Sequence, residues 1–143
     1  MYRSILVGVD GSEASLRAAE RAADLASHHG ARIILLSVVP PPTVFLGELM
    51  TPEIIDPKPL VDAAKSALEK LAERLRKEKG VEVETHVVIG DPAESIVDIA
   101  KDFDVDLIVV GRRGLSGIER LFVGSVTRKV LERTDRDVLV VVK

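Results

Sequence analysis

The chain has 143 residues, of which 46% are hydrophobic and 30% are charged, with a formal net charge of −3 at pH 7. This length suits one domain with a single sizeable core, residues 1–143. The absence of cysteine excludes disulfides, thiolate nucleophiles and cysteine-based metal sites, and the 3% aromatic content with a negative net charge argues against nucleic-acid binding.

Short runs of Val, Ile and Leu alternate along the chain with longer segments that have the apolar period of a helix. These runs predict strands at residues 5–9, 33–39, 87–89, 107–110 and 138–142. Most are continuously apolar, which is typical of strands buried on both faces. The third run extends an alternation of apolar and polar residues that starts at Val81, so we expect an edge strand with one wetter face.

Four helices are predicted between the strands. The first is opened by Ser12 as an N-cap, and the second ends at Gly80. The third begins at Asp91-Pro92, an N-cap acid followed by proline at the first helical position, and the fourth starts at Ser125. The apolar face of the second helix consists of Leu60, Ala64, Ala67, Leu68, Leu71 and Leu75, and that of the fourth includes Val126, Val130 and Leu131.

This alternation of strands and helices predicts an α/β domain with an open parallel sheet, helices on both faces and right-handed crossovers. The proline-rich segment 40–59 is longer than a usual connection, and either a mobile loop over a site or a tolerated insertion explains it.

The chain opens directly into an apolar run without the layout of a signal peptide, and no apolar stretch is long enough to span a bilayer. We therefore expect a cytoplasmic protein without a membrane partner.

Three stretches are expected to meet where an open parallel sheet binds ligands, at the carboxyl ends of its strands. They are residues 8–12 after the first strand, residues 38–40 after the second, and residues 111–125 after the fourth. If the first and fourth strands are neighbours, Asp10 faces the glycine-containing stretch across the crevice.

The stretch after the fourth strand begins with two glycines around two arginines. Gly111 allows a sharp turn as the strand ends, and Gly114 allows a positive φ or a close approach to the backbone. Arg112 and Arg113 lie at the mouth of the same turn. These arginines are candidate contacts for an anion.

The same stretch ends with Gly124-Ser125 at a predicted helix start. Unpaired N–H groups and the positive end of the helix dipole favour an anion at such a position. The hydroxyls of Ser125 and Thr127 are candidate donors to phosphate oxygens, and Asp10 is a candidate acceptor for ribose hydroxyls. Together these features predict a mononucleotide site.

Each feature alone also has a purely structural explanation. Glycines commonly follow buried strands, serine before a helix is usually a cap, Asp10-Gly11-Ser12 fits an ordinary turn, and loop arginines are usually solvated. The three histidines show no metal-ligand spacing, and neither a nucleophile elbow nor a P-loop is present. The sequence therefore contains no catalytic constellation.

The spacing G-x2-G-x9-G-S from Gly111 to Ser125 resembles the nucleotide-binding signature of the universal stress protein family, in its ATP-binding branch. Residues 5–12 are similar to the opening strand and turn of that family, and the whole chain matches its length and element order. The resemblance implies a Rossmann-like fold with sheet order 3-2-1-4-5 and a bound ATP with Mg²⁺ or Mn²⁺, whose ligands we leave unassigned.

The resemblance also implies site residues by position. Asp10 would hold the ribose, Val38 would offer backbone groups to adenine, and Gly8 and Val9 would line the pocket. The phosphates would be cradled by Gly111, Gly114, Gly124 and Ser125, with Val126 and Thr127 just behind them. Phosphate contacts from Arg112 and Arg113 are an additional hypothesis, since both occupy variable positions of the motif.

An ATP-binding regulatory or stress-response module is the leading hypothesis, with an unidentified protein partner. A slow ATPase and a nucleotide-free interaction domain of the same fold are the alternatives.

The apolar run from Val138 to Val142 would lie at a sheet edge, and an exposed apolar edge is a template for pairing. We therefore predict a symmetric homodimer in which the two last strands pair antiparallel, as the resemblance also suggests. The alternative is that helices cover both faces of the sheet and the edge stays solvated.

Overall fold

A five-stranded parallel sheet organises the part of the chain that the computed structural model describes, residues 1–41, 56–112 and 124–142. Its strands are β1 (Ser4–Gly8), β2 (Arg32–Val39), β3 (Glu82–Ile89), β4 (Leu107–Gly111) and β5 (Asp137–Val141). The strands lie in the order β3-β2-β1-β4-β5, and every neighbouring pair is parallel. The predicted order and the edge position of β3 are confirmed, and the order reverses between β1 and β4.

Four helices connect these strands in the described ranges: α1 (Glu13–His29), α2 (Lys58–Lys79), α3 (Pro92–Asp102) and α4 (Ser125–Arg133). The Ser12 hydroxyl accepts a hydrogen bond from the Ser15 amide, and the Asp91 carboxylate accepts one from the Glu94 amide. Gly80 follows α2 with a φ of +65°, a left-handed conformation that favours glycine. The predicted helix boundaries at these three residues are confirmed.

The helices cover the sheet in two layers, which explains why its central strands are continuously apolar. On one face, α1 and α2 pack on alternate residues such as Ile33 and Leu35. On the other face, α3 and α4 pack on residues such as Leu6, Ile34 and Ile108. Each central strand therefore buries both sets of side chains.

Two predicted helix faces differ from the observed ones. In α2, Leu68, Leu71 and Leu75 are buried, whereas Leu60 is 47% exposed. In α4, Leu131 is also 47% exposed and does not join the core. The period of a helix places residues on one face, but only the neighbouring elements determine how much of that face is covered.

Most of the proline-rich segment, residues 42–55, lies outside the described residues. Within the ranges that are described, none of the helices has the length and apolar character needed to cross a membrane.

Candidate functional site

A cavity of about 410 Å³ opens at the carboxyl edge of the sheet, where the strand order reverses. This volume lies within the usual range for small-molecule sites, roughly 300–1,000 Å³. The wall is formed by strand ends and by all four helices, and it is mostly apolar. Its residues are Gly8, Val9, Asp10, Gly11, Ser15, Leu16, Leu36, Ser37, Val38, Val39, Pro40, Leu60, Ala64, Ala67, Leu68, Leu71, Pro92, Ile96, Val110, Gly111, Val126 and Thr127.

The cavity brings together more than half of the residues predicted for the site: Gly8, Val9, Asp10, Val38, Gly111, Val126 and Thr127. Gly124 and Ser125 directly precede the wall residue Val126 in the chain, at the start of α4. Arg112 directly follows the wall residue Gly111, at the end of β4. Arg113 and Gly114 lie outside the described residues.

Asp10 reaches the cavity from the turn that joins β1 to α1. The Val9 amide still donates to the Leu36 carbonyl oxygen at 2.8 Å, and the chain then leaves the sheet. Gly11 has a φ of +85°, which favours glycine at this point of the turn. The Ser12 amide donates to Asp10 Oδ1 at 2.9 Å. This turn holds an exposed carboxylate at a cavity whose wall is mostly apolar.

Two serines of the wall were missed by the sequence analysis. Ser37 Oγ donates to the Val9 carbonyl oxygen at 2.8 Å. Ser15 Oγ accepts from the Asp10 amide at 3.2 Å and donates to the Ser12 carbonyl oxygen at 3.0 Å. A lone hydroxyl within the apolar run of β2 was the available signal for Ser37, whereas Ser15 resembles any polar residue in a first helical turn.

The apolar residues that α2 contributes to the wall were predicted as core. Leu60, Ala64 and Ala67 continue the buried face of Leu68 and Leu71, but they lie beside the cavity. Their spacing in the sequence is the same for a core contact and for a ligand-facing wall, so no signal in the sequence distinguishes them.

Gly111 is required by packing between β4 and α1. A Cβ atom at this position would lie 2.7 Å from the carbonyl carbon of Ala14 and 2.8 Å from its oxygen and its Cβ. Gly111 also accepts a hydrogen bond, since Thr127 Oγ1 donates to its carbonyl oxygen at 2.8 Å. The close approach of helix α1 is therefore a reason for this glycine that the sequence analysis did not identify.

Thr127 is only 2% exposed, and its single hydroxyl proton is used in the bond to Gly111. The prediction that this proton is offered to a phosphate oxygen does not match this arrangement. Thr127 instead ties the first turn of α4 to the end of β4.

Gly124 is the N-cap of α4, with φ −62° and ψ 158°, a conformation that any residue adopts. Its amide donates to the Arg112 carbonyl oxygen at 2.8 Å, and its own carbonyl oxygen accepts from the Arg128 amide at 3.0 Å. The amides of residues 125–127 precede that bond, so they have no partner within the helix. They form a positive helix end beside the cavity.

Arg112 uses both of its backbone groups in the same region. Its amide donates to the Val141 carbonyl oxygen at 3.0 Å, which continues the pairing of β4 with β5, and its carbonyl accepts from Gly124. Within the described ranges, no group of three or more His, Asp or Glu side chains is arranged to hold a metal ion.

Comparison with known proteins agrees with this architecture. The universal stress protein family matches residues 1–142. Universal stress protein YxiE of Bacillus subtilis is 34% identical over 148 residues, which cover 99% of each chain. The structure of protein MJ0577 of Methanocaldococcus jannaschii has a TM-score of 0.84 and 31% identity, covering 99% of this chain and 96% of that one.

Two further solved structures contain nucleotides. A universal stress protein in complex with cAMP has a TM-score of 0.73 and 30% identity, covering 98% of this chain and 96% of its own. A universal stress protein from Archaeoglobus fulgidus in complex with dAMP has a TM-score of 0.68 and 27% identity, covering 97% of each chain. From the match along nearly its whole length, this chain belongs to the universal stress protein family.

Proposed function

We propose that this protein is a cytoplasmic ATP-binding module of the stress response, whose nucleotide occupancy regulates contact with a protein partner. One observation carries the proposal. A single cavity at the switch point of the sheet combines an apolar wall, an exposed carboxylate at Asp10 and the N-terminus of α4. These three features suit the three parts of an adenine nucleotide: a flat apolar base, a hydroxylated sugar and an anionic phosphate chain.

The apolar wall supports a site for the base. Leu16 of α1 and the apolar residues that α2 contributes line the same cavity as Val38 at the end of β2. Burial of a purine between such side chains is favourable because it removes apolar surface from water. Adenine would then meet the backbone of Val38, and Gly8 and Val9 would form the floor beneath it.

The charged features support the placement of sugar and phosphate. A carboxylate repels phosphate but accepts hydrogen bonds from ribose hydroxyls, so Asp10 would hold the sugar. The amides at the start of α4 would face the phosphates, together with the Ser125 hydroxyl. Gly111, Gly114 and the two arginines that follow β4 would complete this end of the site, and Mg²⁺ or Mn²⁺ would accompany the phosphates.

Relatives with cAMP and dAMP support the class of ligand, since both are adenine nucleotides. ATP, which carries a longer phosphate chain, is proposed here because the G-x2-G-x9-G-S spacing from Gly111 to Ser125 resembles the signature of the ATP-binding branch of the family. Nucleotide released from the denatured, purified protein and identified by chromatography gives the direct test of this assignment. Recovery of a different ligand class, or no ATP binding by calorimetry, would contradict it.

Gly124→Val tests the placement of the phosphates. The backbone conformation at Gly124 accommodates valine, so the fold should persist while the added side chain occupies space at the phosphate end. We expect calorimetry to show loss of ATP binding in a folded variant. Thr134→Val is a control at the opposite end of α4, where Thr134 has a similar extended conformation. It also removes the bond from the Arg136 amide to Thr134 Oγ1, and it should leave ATP affinity unchanged. Unchanged ATP affinity in folded Gly124→Val would refute the placement.

The dimer is part of the same proposal. Strand β5 forms one edge of the sheet, its residues Val138, Leu139 and Val140 are half-buried, and Val142 is 54% exposed. Antiparallel pairing of two β5 strands about a two-fold axis, along Val138 to Val142, would cover this edge.

A further inference from the structure

The peptide group between Val9 and Asp10 is held from both sides by serine hydroxyls. Strand β1 ends at Gly8, and the last backbone bond that ties it to β2 is the one from the Val9 amide to Leu36. Beyond this bond, Ser37 Oγ donates to the Val9 carbonyl oxygen at 2.8 Å, and Ser15 Oγ accepts from the Asp10 amide at 3.2 Å. The two backbone atoms belong to one planar peptide unit.

The two hydroxyls come from different elements, which makes the arrangement more than local capping. Ser37 lies on β2, 28 residues from Val9, and Ser15 lies in the first turn of α1. Ser15 is 4% exposed, and its proton is already donated to the Ser12 carbonyl oxygen, so its oxygen is oriented to accept from Asp10. A planar unit held at its oxygen and at its nitrogen by two elements has little freedom to rotate.

The orientation of this peptide unit determines where the Asp10 side chain leaves the backbone. The bond from the Ser12 amide to Asp10 Oδ1 then orients the carboxylate itself. A rotation of the unit would therefore move the carboxylate relative to a ligand in the cavity. Because hydrogen bonds weaken steeply when their geometry is poor, a small rotation would weaken the bonds that the carboxylate accepts.

We propose that Ser37 and Ser15 are positioning residues that orient the Asp10 carboxylate toward the hydroxyls of a ribose-containing ligand. This inference rests on the proposed function, in which Asp10 accepts from the sugar. Through Asp10, the two serines would determine how strongly the protein prefers ribose over deoxyribose forms of the nucleotide. Neither serine needs to contact the nucleotide for this effect.

The experiment compares the affinities of ATP and 2′,3′-dideoxy-ATP by calorimetry. We expect wild type to prefer ATP on the order of tenfold, as for hydrogen bonds to a charged group, and Asp10→Ala to lose this preference. Ser37→Ala and Ser15→Ala should lower the ratio of the two affinities toward that of Asp10→Ala. Ser37→Thr, which keeps a hydroxyl on β2, should retain the wild-type ratio of the two affinities.

Controls separate positioning from general destabilisation. Ser27→Ala removes an equivalent bond at the other end of α1, where Ser27 Oγ donates to the Asp24 carbonyl oxygen at 2.8 Å, and it should leave the ratio unchanged. If Ser37→Ala does not fold, Ser37→Cys keeps the side-chain size with a much weaker donor and gives the same readout.

The possible outcomes distinguish failure of this inference from failure of the proposed function on which it rests. A ratio that depends on Asp10 but is unchanged in folded Ser37 and Ser15 variants overturns the inference alone. A wild type that binds no ATP, or a preference that does not depend on Asp10, overturns the proposed ribose contact and the inference with it.

Discussion

Replacing Gly111 by alanine introduces a methyl group at the point where β4 meets the first turn of α1. The added Cβ would lie 2.7–2.8 Å from three atoms of Ala14, whereas ordinary contacts begin at 3.4 Å. Each contact is therefore at least 0.6 Å too short, as 3.4 minus 2.8 gives. Two of the three atoms are backbone, so no side-chain rotation relieves the overlap and α1 or β4 must move.

Forcing such a movement in a packed interior costs about 1–3 kcal/mol of the free energy of unfolding. For a domain of this size, that corresponds to a decrease in Tm of about 2–12 °C. Denaturant and thermal unfolding, followed by circular dichroism, measure both quantities for Gly111→Ala and wild type.

Gly90→Ala is the matched control for this experiment. Its added Cβ would lie 2.9 Å from the Ser95 hydroxyl oxygen, a side-chain atom that rotates away easily. We expect this variant to lose much less stability than Gly111→Ala. Equal stabilities of the two variants would refute the packing explanation for Gly111.

The same variant separates packing from ligand contact as the reason for the glycine. If Gly111 is needed only to admit phosphate, Gly111→Ala keeps its stability and loses ATP affinity. From the contact with Ala14 we expect a loss of stability without ligand, and weaker ATP binding as well, because the displaced turn of α1 carries Ser12 and Ser15.

Two further predictions concern assembly and turnover. Val140→Pro should produce a monomer in light scattering with a native-like circular dichroism spectrum. The Val141 carbonyl oxygen pairs toward β4, so the amide of the preceding residue, Val140, points to the open edge. A wild type that is monomeric at tens of micromolar contradicts the dimer. ATP hydrolysis should stay far below ordinary enzyme rates of roughly 1–10³ s⁻¹, because Asp10 is the one acid in the cavity wall formed by described residues. Rapid turnover in protein free of contaminating ATPase would show that a catalytic group was missed.

The elements of the fold were predictable because their signals are local. Continuous apolar runs indicated the buried strands, and capping residues such as Ser12, Asp91 and Gly80 marked helix ends that the structure confirms. The sheet order came from the resemblance to a family rather than from periodicity. Periodicity shows that a strand is buried on both faces, but not which strand lies beside it.

The candidate site was predictable only in part. Asp10, Val38 and Gly111 do meet at one cavity, as strand ends in a parallel sheet must. The prediction named the Thr127 hydroxyl as a candidate donor to phosphate, whereas in the structure its proton is donated to the Gly111 carbonyl oxygen. A side chain's partner depends on a neighbour 16 residues away, which the local sequence does not specify.

The sequence by itself determined the order of strands and helices and the helix ends at Ser12, Gly80 and Asp91, since capping, glycine conformation and apolar period act within a few residues. Tertiary structure alone decided that Gly111 admits the backbone of α1, that the first half of α2 faces a cavity, and that Ser37 and Ser15 hold one peptide unit. Apart from the bond between the Asp10 amide and Ser15, five residues away, each of these depends on the distance between elements far apart in the chain. That distance is set by the packing of the whole core, which no local pattern encodes.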